Sequence, residues 1–525
     1  VSEQPGLFDT AKWYGGIGDN DGSNWTKISY SKMVSIYLTV IILAGKPRAT
    51  HGTGVSMALR IINVDTPTLG DRGYIAHDGK DALVVDPQRD IDRFEKILNE
   101  KGLKLNTVVE THMHNDYVSG GLVLARKHDA HYITSSEDSV GFERVPASDL
   151  EEFTIGSFAI RSLKTPGHTF THLSYILLNE QSEAEGIFTG GSVLHGSTGR
   201  PDLLGIDNAP ILAGLQYDTA HRIVEMLGEN VSILPTHGFG SFCAATPTSG
   251  DSSFVSDEKK NNPALLLDRE RFIAETLAGL DAFPAYYQYM GPANYAGAGP
   301  IDLSELKRIS SDEVITKMNA GAWIIDIRNR SKSADGHLKN SFNFGIDGSF
   351  ATYLGWLFPY EKELVLISDS SAEIAVAQRE LVRIAIDRPF GAYVGEISKI
   401  GDTVTTRQVN FSDVPEALKN EAVLVLDVRR IIERRTSHIA GTTHIPLHEL
   451  AARIDELPTE REIWVHCGGA YRASAAIGIL ERVQLKGVLI NEPYEAALKV
   501  SALHIITGDN QAGPVAPSVV KQKSK

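Results

Sequence analysis

The sequence predicts an α/β protein built of three successive units, and three observations predict it. The chain has 525 residues, more than one hydrophobic core ordinarily supports, and length alone suggests about three domains. Short apolar runs repeatedly end in histidine, carboxylate or cysteine and hand over to helical patterns, as strands do when the loops at their ends carry chemistry. One segment also repeats. Ile325-Asp326-Ile327-Arg328, with His337 eleven residues after the aspartate, matches Leu426-Asp427-Val428-Arg429, with His438 eleven residues after its aspartate.

Composition narrows the function. Hydrophobic residues make up 42% and charged residues 22%, the balance of a soluble globular protein. A net charge of −15 argues against nucleic acid or an anionic membrane as partner. Only two cysteines occur, Cys243 and Cys467. That usage excludes a disulfide framework and fits a reducing, cytoplasmic setting. Cys243 follows His237 by six residues and reads as a buried thiol near that histidine.

Residues 1–56, rich in Gly, Ser and Asn, read as a poorly ordered extension ahead of Met57. Their one apolar run, Ile36–Leu43, is too short to span a bilayer. From Met57 the pattern becomes regular. Ala82–Val85 is a buried strand with Asp86 at its end, Ile91–Lys101 a helix, and Leu105–Glu110 a strand. That strand delivers Thr111-His112-Met113-His114-Asn115-Asp116-Tyr117, and two imidazoles at i and i+2 on a strand exit can converge on one cation. Further strand ends deliver His168, Thr189-Gly190-Gly191 and His237. A helix over Pro263–Leu280 closes the unit, and Tyr286–Pro300 reads as the linker.

This order of landmarks, His112-x-His114, His168, Thr189-Gly190-Gly191 and His237, resembles the metallo-β-lactamase fold over about residues 57–290, with spacing nearest the persulfide dioxygenase and glyoxalase II branches. Two positions depart from that pattern: Tyr117 stands for a histidine of the second metal site, and Gly191 for the aspartate that bridges two ions in two-metal members and completes a two-histidine, one-carboxylate triad in the mononuclear iron dioxygenases. The resemblance therefore implies one mononuclear ion on His112, His114 and His168, with iron(II) favoured and zinc(II) the alternative. Asp116, His237 and Arg200 are outer or substrate groups on this reading, and Asp202 is the candidate replacement carboxylate.

In the third unit a short apolar run ends in Cys467-Gly468-Gly469-Ala470-Tyr471-Arg472, after which the pattern turns helical. A thiol between a strand end and a helix start faces loop amides that favour its thiolate. This Cys-x4-Arg loop, with Asp427 and Arg429 upstream and Ser437-His438-Ile439 beyond, resembles the rhodanese sulfurtransferases. The resemblance implies Cys467 as nucleophile, Arg472 and the loop residues Gly468, Gly469, Ala470 and Tyr471 as the anion cradle, and Asp427 and Arg429 as their support. In the preceding repeat Ser368 takes the cysteine position and Glu373 the arginine position, so that unit reads as inactive.

The expected architecture is thus an αββα metallo-β-lactamase sandwich (57–290), a linker (291–302), a degenerate rhodanese unit (303–400), an active one (405–507) and a disordered tail (508–525). It resembles the persulfide dioxygenase–rhodanese fusions of sulfide detoxification. That resemblance implies oxidation of a thiol persulfide to sulfite, coupled to sulfane transfer among thiols, thiosulfate and sulfite. Two other readings stay open: a glutathione thioester hydrolase fused to a sulfurtransferase, and a non-catalytic metal-domain scaffold carrying an active rhodanese. The sequence leaves an oligomer open.

Overall fold

The computed structural model describes residues 59–248 and 250–508. The extension expected over 1–56 lies outside them, as does the expected tail beyond Gly508.

The N-terminal unit is two stacked six-stranded sheets. The first runs in the order β1 (Arg60–Thr66), β2 (Asp71–His77), β3 (Asp81–Val85), β4 (Lys104–Val109), β5 (His131–Ser135), β6 (Val145–Ala147). It is antiparallel from β1 to β3 and parallel from β3 to β6. The second contains β7 (Glu152–Ile155), β8 (Phe158–Lys164), β9 (Leu173–Leu178), β10 (Ala184–Gly190), β11 (Ser232–Pro235) and β12 (Ser253–Phe254), in spatial order β12-β11-β10-β9-β8-β7.

Alternation of side chains along the strands creates the layers. Leu83, Val85 and Val109 point inward to meet Phe158, Tyr175 and Phe188 of the other sheet. Their neighbours Ala82, Val84 and Val108 point outward, under Phe94, Ile97 and Leu98 of the helix Asp92–Lys101 and Leu124 of the helix Gly121–His128. The helices Ala209–Met226 and Arg269–Gly279 cover the second sheet in the same way. The single helix expected over Pro263–Leu280 is two, because Asp268 takes an extended conformation and its side chain caps a new start at the Arg271 N–H.

The stretch expected as linker is structured. Tyr287–Ala296 forms a helix whose Tyr287, Met290 and Asn294 are buried. Glycines and a proline hid its pattern, and its stability comes from packing rather than propensity.

The middle unit has a four-stranded parallel sheet in the order Phe342–Asn343, Trp323–Asp326, Leu364–Ser368, Gly391–Val394. The C-terminal unit has a five-stranded parallel sheet in the order Gln408–Val409, Lys486–Ile490, Glu462–His466, Val423–Asp427, Thr443–His444. The repeat recurs in the contacts of its aspartate and histidine. Arg328 binds Asp326 at 2.6 Å as Arg429 binds Asp427 at 2.9 Å. His337 Nδ1 contacts the Ser333 carbonyl at 3.1 Å, as His438 Nδ1 contacts that of Arg434 at 3.0 Å.

The middle unit docks on the N-terminal one through the helix Ser371–Arg383. Asp90, fully buried, holds Arg383 at 2.7 Å and Arg93 at 2.8 Å. The Arg383 carbonyl accepts the Val118 N–H at 2.8 Å. Burial raises the Asp90 carboxyl, but the Arg383 and Arg93 guanidiniums outweigh it and hold the group well below the usual carboxylate range. Among the described residues no helix is long and apolar enough to cross a membrane.

Candidate metal centre and cysteine loop

Strand ends on one edge of the sandwich bring the N-terminal site together. β3 delivers Asp86, β4 delivers His112 and His114, β8 His168, and β11 His237, all fully or nearly fully buried. Asp86 is the hub. It accepts the Thr111 N–H and hydroxyl, each at 2.7 Å, and also the Thr236 hydroxyl, so one carboxylate ties three strand exits.

Hydrogen bonds fix which nitrogen each imidazole offers. Thr111 Oγ1 donates to Asp86 and so accepts from His112 Nδ1 at 2.9 Å, which leaves His112 Nε2 with its lone pair. His168 Nδ1 donates to the Arg200 carbonyl at 2.9 Å and likewise frees Nε2. His237 Nδ1 donates to Asp71 at 2.9 Å and lies 3.2 Å from Asp116. His237 Nε2 then faces His112 Nε2 at 3.3 Å. Two ring nitrogens so close, with their other protons committed, require a cation between them, either a proton or a metal ion. Burial holds His112 well below its ordinary value and takes His168 down to about 3. Burial also lowers His237, but Asp116 and Asp71 outweigh it and carry the ring up to about 10.

His112, His168 and His237 form one group with the spacing a metal ion requires, and His114, Asp116 and His237 form a second. His237, expected as an outer group, lies close enough to His112 and His168 for the three to share one ion. His114 turns Nε2 outward, 2.9 Å from the Tyr117 hydroxyl, 3.2 Å from Glu110 and 3.4 Å from Asp86. Its Nδ1 is buried without a hydrogen-bond partner, as is Asp116 Oδ1. Unpartnered donor atoms of this kind fit a bound cation.

Asp202 does not join the site. Both its oxygens bind the Arg200 guanidinium at 2.6 Å, so the candidate replacement carboxylate is consumed by its neighbour. Arg200 contributes its carbonyl to His168 instead. Gly191 explains the missing aspartate sterically: a Cβ there would lie 2.2 Å from the His168 ring. His172, which the sequence reading passed over, receives the Gly191 N–H on Nε2 at 3.1 Å and bonds Thr165 through Nδ1 at 2.9 Å. Its position four residues after His168, at the foot of β9, was the available signal. Asn294, inside the expected linker, donates to the carbonyls of His114 and Tyr117 at 2.8 and 2.9 Å and accepts the Ser119 N–H at 2.8 Å.

At the second site the strand Glu462–His466 ends at Cys467 and the helix Tyr471–Arg482 begins four residues on. Gly468 and Gly469 form the turn, and Ala470 at φ 65° closes it. Cys467 is buried. Arg472 forks onto Glu433 at 2.6 and 2.7 Å, and Arg430 holds the same carboxylate at 3.1 Å. Burial raises Glu433, but Arg472 outweighs it and holds the carboxyl at about 2. Asp427 braces the loop from below through Arg429 and, at 3.2 Å, Arg434. In the middle unit the equivalent loop is self-satisfied: Ser368 Oγ donates to Glu373 at 2.6 Å and accepts the Ser370 N–H.

A buried histidine–carboxylate centre on an αββα sandwich, followed by a cysteine loop on a parallel sheet, defines the class. The chain belongs to the metallo-beta-lactamase superfamily, whose family model matches residues 73–238, and it carries a C-terminal rhodanese-like domain, matched over residues 411–493. Its relatives include the mitochondrial persulfide dioxygenase ETHE1 of Mus musculus, 29% identical over 209 residues that cover 40% of this chain and 74% of that protein. They also include the probable polyketide biosynthesis zinc-dependent hydrolase BaeB of Bacillus velezensis, 30% identical over 166 residues, 31% of this chain and 69% of that one. A solved metallo-beta-lactamase from Staphylococcus aureus shares the fold at 24% identity and TM-score 0.58, over 65% of this chain and all of that one.

Proposed function

We propose that the chain is a two-centre enzyme of sulfur metabolism. The N-terminal centre oxidises a small-molecule thiol persulfide to sulfite, with O2 and water consumed and thiol, sulfite and two protons formed. The C-terminal loop moves sulfane sulfur through a Cys467 persulfide. The observation that carries the first half is the loss of two groups that a two-ion site needs. Gly191 lies against His168 with no room for a bridging carboxylate, and Tyr117 takes His114 Nε2 where a two-ion site needs a sixth-position imidazole. The relatives named as persulfide dioxygenases support the same reading. The thioester-hydrolase reading, which relatives named hydroxyacylglutathione hydrolase suggest, lacks that bridging group.

His112, His168 and His237 would hold the ion, with His114 Nδ1 as a further donor and iron(II) preferred to zinc(II). When bound, the ion supplies a redox-active Lewis-acid centre for persulfide and O2. Asp71 and Asp116 keep the His237 proton on Nδ1, and the Arg200 carbonyl keeps that of His168 on Nδ1, so each ring offers Nε2 inward. Glu110 and Asp86 fix His114 from its other side.

In the second centre the Cys467 thiolate attacks the sulfane sulfur of thiosulfate. The donor S–S bond breaks, sulfite leaves with the electron pair, and the persulfide on Cys467 passes to an acceptor thiol. Arg472 and the loop amides bind the anionic end once Glu433 yields it. Ser368 cannot carry sulfane sulfur and Glu373 would repel the donor, which supports reading the middle unit as an inactive rhodanese. Two free, buried thiols, Cys243 and Cys467, support a reducing, cytoplasmic setting.

Oxygen uptake with glutathione persulfide, by protein produced with iron available, tests the first centre. Consumption of O2 with release of sulfite is expected. Thiol release from a glutathione thioester without O2 uptake would favour the hydrolase, and neither activity would leave a scaffold.

A further inference from the structure

A run of polar contacts joins the two centres. It starts at His168, whose Nδ1 donates to the Arg200 carbonyl at 2.9 Å. The buried Arg200 guanidinium is held by both oxygens of Asp202, each at 2.6 Å, and donates to the backbone carbonyl of Asp281 at 3.0 Å. Its carbon lies 5.1 Å from the centroid of the Phe283 ring. Asp281 carries the run across the boundary between units. One carboxylate oxygen accepts the Ala282 N–H at 2.9 Å; the other accepts the Ile432 N–H of the C-terminal unit at 3.2 Å and faces the Arg430 guanidinium at 3.5 Å. Arg430 lies 3.1 Å from Glu433, which takes the Arg472 fork at 2.6 and 2.7 Å. That pair sits on the cysteine loop. A Cβ on Gly468, the residue after Cys467, would lie 3.0 Å from the Arg472 guanidinium and 3.2 Å from the Glu433 carboxylate.

Arg200, Asp281, Arg430, Glu433 and Arg472 thus lead from a metal-centre imidazole to the anion cradle. All of them except Glu433 are buried, and a buried charge keeps a partner because losing one is costly. When one member shifts, its neighbour must follow. Glu433 is the member with two arrangements, since Arg472 and Arg430 both lie within reach of its carboxylate. An oxyanion in the loop takes Arg472 and leaves Glu433 to Arg430. Arg430, drawn toward Glu433, then loosens from Asp281. The same Asp281 holds Arg200 through its backbone carbonyl, and the Arg200 carbonyl fixes His168 Nδ1.

We propose that Asp281 is a positioning residue common to both centres, through which an oxyanion bound at Arg472 weakens metal binding at His168. This rests on the proposed function, in which sulfite is made at the first centre and is an anion that the cysteine loop binds. The coupling is then feedback by a product of one centre that occupies the other. Linkage makes it mutual: the metal weakens the oxyanion by the same factor.

The test uses the full-length protein without O2, with zinc(II) as the probe of one centre and sulfite as the probe of the other, so that no turnover intervenes. The zinc Kd is measured by chelator competition with and without saturating sulfite, and the sulfite Kd by calorimetry on metal-free and zinc-loaded protein. Sulfite should raise the zinc Kd at least about fivefold, the lower end of ordinary coupling between sites, and zinc should raise the sulfite Kd by the same factor. Asp281→Asn keeps the size and the backbone carbonyl but removes the charge that faces Arg430. Each ligand should still bind this variant, with both factors reduced to within about twofold. In Arg472→Ala, which removes the oxyanion's anchor, sulfite should leave the zinc Kd unchanged. If wild type binds zinc and sulfite independently, the coupling is overturned and the proposed function stands. It is equally overturned if the factors survive in Asp281→Asn, or if sulfite still weakens zinc in Arg472→Ala, where it must act at the metal itself. If zinc or sulfite alone fails to bind, the reading of that centre fails and the coupling falls with it. Should Asp281→Asn not fold, Arg430→Lys keeps the cation beside Glu433, lacks the fork that reaches two carboxylates, and must show the same loss of coupling.

Discussion

In the proposed function, Gly191 and Cys467 decide the chemistry at single positions. At 191 the His168 ring lies where a side chain would begin, so an aspartate there must displace that ring. Gly191→Asp is therefore expected to lower metal content below that of wild type rather than add a second ion, as metal analysis per chain would read; two tightly held ions would refute the one-ion centre. At 467 the element itself matters, because only sulfur is both a good nucleophile near neutral pH and able to form a persulfide. Cys467→Ser should abolish thiosulfate:thiol sulfur transfer, whereas Ser368→Ala should leave it within about twofold, a barrier change under 0.5 kcal/mol. Steady-state assays of both variants read these outcomes, and a large loss in Ser368→Ala would show that the middle loop works.

Among the elements, the helix Tyr287–Ala296 has the largest effect for its length. Asn294 donates two hydrogen bonds to the backbone of the loop that carries His114 and Tyr117 and accepts a third from it. Two of these partners are carbonyls that no water replaces easily, and each buried polar group left unmade costs about 1–3 kcal/mol. Asn294→Ala is expected to lower Tm and to speed metal loss to a chelator, with the sulfur-transfer activity of the distant cysteine loop retained. Unchanged chelator kinetics would mean the loop holds its own shape. The helix Ser371–Arg383 buttresses the same loop from the other side, through the Arg383 carbonyl on Val118.

Across the whole molecule, one apolar core runs through all three units, and ion pairs add to the hold on the C-terminal one. Asp281 of the N-terminal unit reaches Arg430, and Arg430 and Arg472 share Glu433. Glu433 is held at about 2 against an ordinary 4.5. A carboxyl depressed in the folded state stabilises it fully above its unfolded value, and the contribution fades as pH falls from about 4.5 toward 2. The Tm advantage of wild type over Glu433→Gln should accordingly be constant from pH 7 to 5 and narrow below about 4.5. A gap that persists unchanged at pH 3 would show that the pair contributes through packing alone.

The sequence by itself determined the three-unit α/β plan, the strand-end histidines, the Asp-x-Arg repeat and the Cys-x4-Arg loop. These are local signals, read from period-two alternation and from residues at fixed offsets in one stretch of chain. Only the tertiary structure brought His237 Nε2 to 3.3 Å from His112 Nε2, because that depends on which strand ends the sheet order brings together. It alone decided that Asp202 is spent on Arg200, since a carboxylate's partner is a matter of distance rather than spacing. The helix Tyr287–Ala296 escaped the sequence reading for a related reason. Its glycines and proline deny it helical propensity, and burial against the metal loop and the middle unit supplies the stability instead.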